Sequence, residues 1–155
     1  MQLNIQFPHK MLQAYTACCR PLCQEIRLPQ TAFDILMFLA NNPTMNTARD
    51  IVEIRRIKAN LVSVNVEKLV QEGYLERRPI PKDRRKTCLV CTDKAAPIIR
   101  QGRDIQTAFF DRLLNGIDEK ELLAFHHVLC SIDKTLDQMM DERNKPAPIN
   151  ERRLL

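Results

Sequence analysis

The sequence predicts a mainly α-helical protein carrying one small β-hairpin, and three observations lead there. Apolar residues recur at three- and four-residue spacing through most of the 155 positions, the signature of helices with one inward side. One stretch breaks that rhythm: Tyr74 to Arg78 and Lys86 to Thr92 read as extended runs separated by prolines at 79 and 81, as in a hairpin. Charge gathers on the same stretch. Arg77 to Lys86 holds six basic residues and one acid, a local +5 that equals the net charge of the whole chain.

The elements follow in order. From about Ile5 to Arg27, Met11, Leu12, Tyr15, Cys18, Cys19, Leu22 and Ile26 form a helical stripe, and Pro21 should bend it by removing one hydrogen bond. The stripe spans an arc wide enough for part of it to face a second subunit. A second helix opens at Leu28-Pro29, has Phe33, Leu36, Met37, Leu39 and Ala40 as its inward face, and stops at Asn41-Asn42-Pro43. A third, from about Thr47 to Arg55, has Asn46 or Thr47 as its cap and Ala48, Ile51, Val52 and Ile54 as apolar positions. After a short link a fourth runs from about Asn60 to Glu72, with Val62, Val66, Leu69 and Val70 inward and Ser63, Asn65, Glu67 and Lys68 looking elsewhere. Gly73 ends it, since glycine accepts φ > 0.

Two helices joined by so tight a turn, with a hairpin directly after, make a winged helix-turn-helix. Beyond Thr92, itself a candidate cap, a long helix reaches Leu114, with a late start or a kink expected near Pro97. Asn115-Gly116 closes it. Asp118 with Glu121 resembles a capping box and opens a last helix to about Met140, whose broad face carries Leu122, Phe125, Val128, Leu129, Ile132, Leu136 and Met139. That much apolar surface exceeds what one compact winged module covers, which argues for a dimer. The remainder, 143–155, lacks periodicity and reads as a flexible tail.

The chain is thus expected to be a single domain, with a winged core over 28–95 and helical dimerisation regions over 1–27 and 96–142. No run of ~18 apolar residues suggests a membrane span, and the first residues lack a signal-peptide core, so a cytoplasmic protein is expected. Six cysteines in such a chain read as reduced thiols rather than a disulfide frame, with Cys18, Cys19, Cys23 and Cys130 acting as small hydrophobes. Cys88 and Cys91 fall on opposite faces of a strand, which disfavours a shared metal or a disulfide. His9 and the His126-His127 pair have no nucleophile or carboxylate constellation around them, so neither an enzyme nor a bound cofactor is expected.

The run from Leu61 to Ala95 resembles the MarR family of winged-helix transcription regulators. The resemblance covers about Leu22 to Met140 and is most specific at Gly73-Tyr74, at Asp83 with Arg85, and at Cys91-Thr92-Asp93-Lys94. It implies a homodimeric regulator, most often a repressor, that binds a pseudo-palindromic double-stranded DNA operator and is released by a small-molecule effector or a redox signal. In that reading the helix over 60–72 enters a major groove and the wing over 74–92 a minor groove. Arg85 is the wing arginine, steadied by Asp83, where a narrow groove concentrates negative potential. Ala95 stands where the family usually has glycine. Peroxide-sensing relatives carry a reactive cysteine early in the first helix, near Ile5 here.

Within the recognition helix, Asn60, Ser63 and Asn65 have suitable donors and acceptors for base edges, and Leu61 and Val64 suit thymine methyls. Lys58, Lys68, Arg77 and Arg78 would mostly bind phosphates, and Lys82, Arg84 and Lys86 complete the basic tip. Asn60 suits a helix cap equally well, and Lys68 suits an i,i+4 pair with Glu72. A winged-helix protein-interaction module without DNA binding is the alternative that fold analogy leaves open.

Overall fold

A computed structural model describes residues 6–80 and 83–144, with side chains described for 6–79 and 87–141. The elements are α1 (Gln6–Glu25), α2 (Gln30–Asn41), α3 (Ala48–Arg55), α4 (Ala59–Gln71), β1 (Leu75–Ile80), β2 (Asp83–Cys91), a 3-10 turn (Asp93–Ala95), α5 (Ala96–Leu114) and α6 (Glu119–Asn144). They form two compact units divided between Leu113 and Leu114. Ile5 and residues 145–155, most of the expected tail, lie outside the described residues.

The first unit is organised around α2. The sequence suggests one inward face, but Ala32, Phe33, Ile35, Leu36, Met37, Phe38 and Leu39 are all buried, while Ala40 is only half-buried. The difference has a packing cause: α2 is covered by α1, α4 and β2, so its near-continuous apolar run has no solvent side. Pro29 occupies the N-cap position of α2, not its first turn, with φ −58° and ψ 147°.

Helix α1 keeps Pro21 inside its span. Of its expected stripe only Cys19 and Leu22 are buried, joined by Cys23; Met11, Leu12 and Cys18 are exposed. Cys18 is therefore not a core residue, and neither is Cys130. Helix α1 ends with Arg27 in the left-handed region at φ 55°. There the Leu28 amide donates to the Cys23 carbonyl and the Arg27 amide to that of Gln24, closing the helix as a glycine would and driving Leu28 into the core.

Helix α3 starts from a reciprocal cap: the Thr47 hydroxyl accepts from the Asp50 amide at 3.2 Å and the Asp50 carboxylate accepts from the Thr47 amide at 2.8 Å. Ile51 is fully buried but Ile54 is exposed, since eight residues give this helix only a narrow inward stripe. Helix α4 buries Val62, Asn65, Val66 and Leu69. Gly73, at φ 74°, closes it with the same pair of bonds seen after α1, from the Gly73 amide to Val70 and from the Tyr74 amide to Leu69.

The hairpin is antiparallel and pairs Leu75 with Cys91 and Arg77 with Leu89. Its strands run further toward the tip than the sequence suggests, with a register irregularity between Pro79 and Ile80. Leu75 and Leu89 face the core, and the Leu89 amide donates to the Asn46 carbonyl at 2.8 Å, tying β2 to the loop before α3. Next, the 3-10 turn holds Ala95 with no exposure, and α5 begins at Ala96. Pro97 thus sits in a first turn, where its missing amide costs nothing, as the expected late start requires.

In the second unit Gly116, at φ 82°, precedes the cap expected at Asp118: its carboxylate accepts from the Lys120 amide at 3.1 Å, and its own amide donates to Glu121 at 3.4 Å. Helix α6 extends to Asn144, beyond the expected Met140. Phe125, Val128, Leu129, Ile132, Leu136 and Met139 are exposed along it. No helix among the described residues is long and apolar enough to cross a membrane.

Candidate nucleic-acid interface

Helix α4 packs against the first strand of the hairpin that follows it. Asn60, Leu61, Ser63 and Val64 are exposed on the first two turns of α4, Leu61 by 44% and Val64 by 67%. The Asn60 side-chain oxygen accepts from the Leu61 amide at 2.9 Å, and the N-cap position belongs to Lys58, which makes no side-chain cap bond. Asn60 therefore lies inside the first turn and is not the cap.

Asn65 corrects the sequence reading. It is buried, with 5% exposure, and its amide donates back to the Leu61 carbonyl at 2.8 Å. The reason is helical spacing: positions 62, 65, 66 and 69 share one side of a 3.6-residue helix. Asn65 therefore faces the core, its donor satisfied within its own helix.

The basic residues divide into two groups. Lys58 is exposed and Lys68 half-buried; among the described residues Lys68 forms no ion pair with Glu72. Both arginines of β1 are engaged. Arg77 pairs with Glu67 of α4 at 2.9 Å, and Arg78 pairs with its neighbour-but-one Glu76. Two of the six positive charges counted in the hairpin are thus answered by carboxylates outside the Arg77 to Lys86 stretch. Lys82 lies outside the described residues, as do the side chains of Asp83, Arg84, Arg85 and Lys86, and with them the expected Asp83–Arg85 pair.

The base of the hairpin is fastened where the sequence suggested only a helix cap. The Thr92 hydroxyl donates to the Gly73 carbonyl at 2.6 Å and the Thr92 amide to the Tyr74 carbonyl at 3.1 Å. Lys94 donates to the Glu72 carbonyl at 2.6 Å and lies 4.9 Å from the centre of the Tyr74 ring, a cation over an aromatic face. The Thr92 and Lys94 side chains thus join the end of β2 to the end of α4.

A second feature lies between α1, α2 and α5. A cavity of about 360 Å³ is lined by Met11, Tyr15, Asp34, Phe38, Gln106 and Phe109, among others. Tyr15 and Phe109 meet there edge to face at 5.5 Å, while Phe33 is core. Burial pushes the Tyr15 hydroxyl up to about 12, although it accepts a hydrogen bond from Gln106 at 3.1 Å. Burial also raises the Asp34 carboxyl, partly countered by the Gln30 amide at 2.9 Å and by the Arg55 charge. The same desolvation raises the Cys19 thiol, and that of Cys23 to about 11. The described residues hold no group of three His, Cys, Asp or Glu side chains arranged for a metal.

Comparison with known proteins agrees with this architecture. Residues 28–86 match the sequence profile of the MarR family. The HTH-type transcriptional regulator BilQ of Clostridium symbiosum (strain WAL-14163) is 23% identical over 121 residues, 78% of this chain and 83% of that protein. The solved transcriptional regulator PA3341 superposes with a TM-score of 0.74 at 25% identity, over 86% of this chain and 97% of the other. A MarR family regulator from Listeria monocytogenes, solved with 26mer DNA, superposes with a TM-score of 0.76 at 14% identity, over 96% and 100%.

Proposed function

We propose that this chain is a winged-helix transcriptional regulator of the MarR family, to which its profile match and its relatives liken it, and that it binds double-stranded DNA sequence-specifically as a homodimeric, cytoplasmic repressor. The observation that carries this reading is the outward side of α4. A helix that packs its other side tightly leaves Leu61 and Val64 in water beside Asn60 and Ser63. Such a mixture suits the major groove, where polar side chains read base edges and apolar ones gain by covering thymine methyls. Lys58 and Lys68 lie where phosphates would flank the helix. The wing supplies Lys82, Arg84, Arg85 and Lys86, with Arg85 in the minor groove and Asp83 beside it by family resemblance. The Listeria relative, solved with DNA, supports the same use of the fold.

Exposed apolar residues on α1 (Phe7, Leu12), on α5 (Phe110, Leu113) and, in the other unit, along α6 support a dimer, whose two copies would read half-sites about one helical turn apart, ~10 bp. The cavity beside Tyr15 suits a small, partly aromatic effector. A redox signal at Cys19 or Cys23 is disfavoured, because buried thiols with raised pKa stay protonated and unreactive.

The test is binding of the purified protein to the intergenic duplex beside its own gene over a range of salt concentrations. Affinity should fall steeply with salt, and Arg85→Ala should weaken binding and reduce the logarithmic salt slope by about 0.9, the share of one phosphate contact. Salt-independent binding, or none, refutes the proposal. A monomer at micromolar concentration refutes the dimer.

A further inference from the structure

Glu67 is an unexpected residue on a surface that should attract phosphate. It lies one turn beyond Ser63 and Val64 on the same side of α4, about half exposed. Both of its carboxylate oxygens are engaged: one accepts from the Arg77 guanidinium at 2.9 Å, the other from the Gln71 amide at 3.2 Å. Arg77 is itself about half exposed and borders, with Ser63, Val66 and Leu89, the groove between α3, α4 and the hairpin. Its charge is therefore directed at α4 and not outward.

We propose that Glu67 attenuates the DNA interface: it holds Arg77 as an internal stand-in for phosphate and so withholds that cation from the DNA backbone. This rests on the DNA-binding reading above. A carboxylate and a phosphate offer a guanidinium the same paired oxygens, so moving Arg77 from one to the other gains little by itself. The exchange also leaves Glu67 facing a polyanion. Every duplex meets that repulsion alike. The pair thus lowers affinity for DNA of any sequence.

The experiment compares wild type, Glu67→Gln, Arg77→Gln and the double variant on two duplexes of equal length, the intergenic DNA beside the gene and a random sequence, across a salt series. Glutamine keeps the shape of the side chain and removes its charge. Glu67→Gln should tighten binding to both duplexes by about two- to fivefold, the size of an exposed ion pair. Its salt slope should steepen by about 0.9, one added phosphate contact. The ratio of the two affinities should stay the same, since the charge removed opposes both duplexes alike. In the double variant the slope should return to that of Arg77→Gln alone. Weaker binding of Glu67→Gln to both duplexes would make Glu67 a strut for the wing and overturn the proposal, as would an unchanged slope or a gain confined to one duplex. Wild-type protein that binds neither duplex would refute the DNA-binding reading itself, and this inference with it.

Discussion

Replacing Gly102 by alanine should destabilise the protein, although alanine is the better helix former. Gly102 is buried in α5, and a Cβ there would lie 2.4 Å from Met37 Sδ, 2.9 Å from Met37 Cε and 3.1 Å from Phe33 Cζ. The first distance is more than about 1 Å short of the ~3.5–4.0 Å at which such atoms attract. Phe33 is fully buried on α2, and Met37, though it borders the cavity beside Tyr15, must swing both its sulfur and its methyl aside to clear the new atom. Overpacking of this kind costs about 1–3 kcal/mol, against which the gain in helix propensity is about 1 kcal/mol. The net expectation is a loss of about 1 kcal/mol, which for a chain of this size lowers Tm by about 2–4 °C. Thermal and urea unfolding would measure it. The cause is checked in a Met37→Ala background, where the added methyl enters vacated space and Gly102→Ala should become neutral or stabilising. A variant stabilised in the wild-type background, or one equally destabilised in both, would refute the packing argument.

Two further outcomes follow from local geometry. Thr47→Ala removes one half of the reciprocal cap of α3 and should cost about 1 kcal/mol, read as a lower midpoint in urea; a midpoint unchanged or raised would show that the cap contributes nothing. Asp34 has a folded-state carboxyl raised by burial, so the folded protein holds this proton more tightly than the unfolded one, and its ionisation opposes folding at neutral pH. Asp34→Asn should therefore be more stable than wild type near pH 7, with the advantage shrinking as pH falls through the raised value toward the ordinary one near 3.8. An advantage that grows on acidification would contradict this.

What could be read from the sequence was what local spacing decides. The capping residues Thr47 and Asp118, the glycine stops at 73 and 116 and the late start before Pro97 each depend on a few neighbouring positions, and the structure has them. Asn65 was also legible in principle, since it shares the spacing of Val62, Val66 and Leu69; its polarity suggested an outward side chain, but the amide is satisfied by its own helix. Burial of α2 on all sides was signalled by Ile35 and Phe38 between the periodic positions. The pairing of Arg77 was not legible, because its partner lies ten residues away on another element. Counting charge along the hairpin could not include Glu67. Thr92 was likewise visible as a hydroxyl at a helix start, but its acceptor, the Gly73 carbonyl, comes into reach only when the hairpin folds back.

That last bond has a mechanical meaning. Both strands of the wing leave from a single knot, made by Gly73, Tyr74, Thr92 and Lys94 at the close of α4, and α5 departs from it one short turn later. A twist applied along α5 would therefore reach the end of α4 and both strands of the hairpin through the same few bonds.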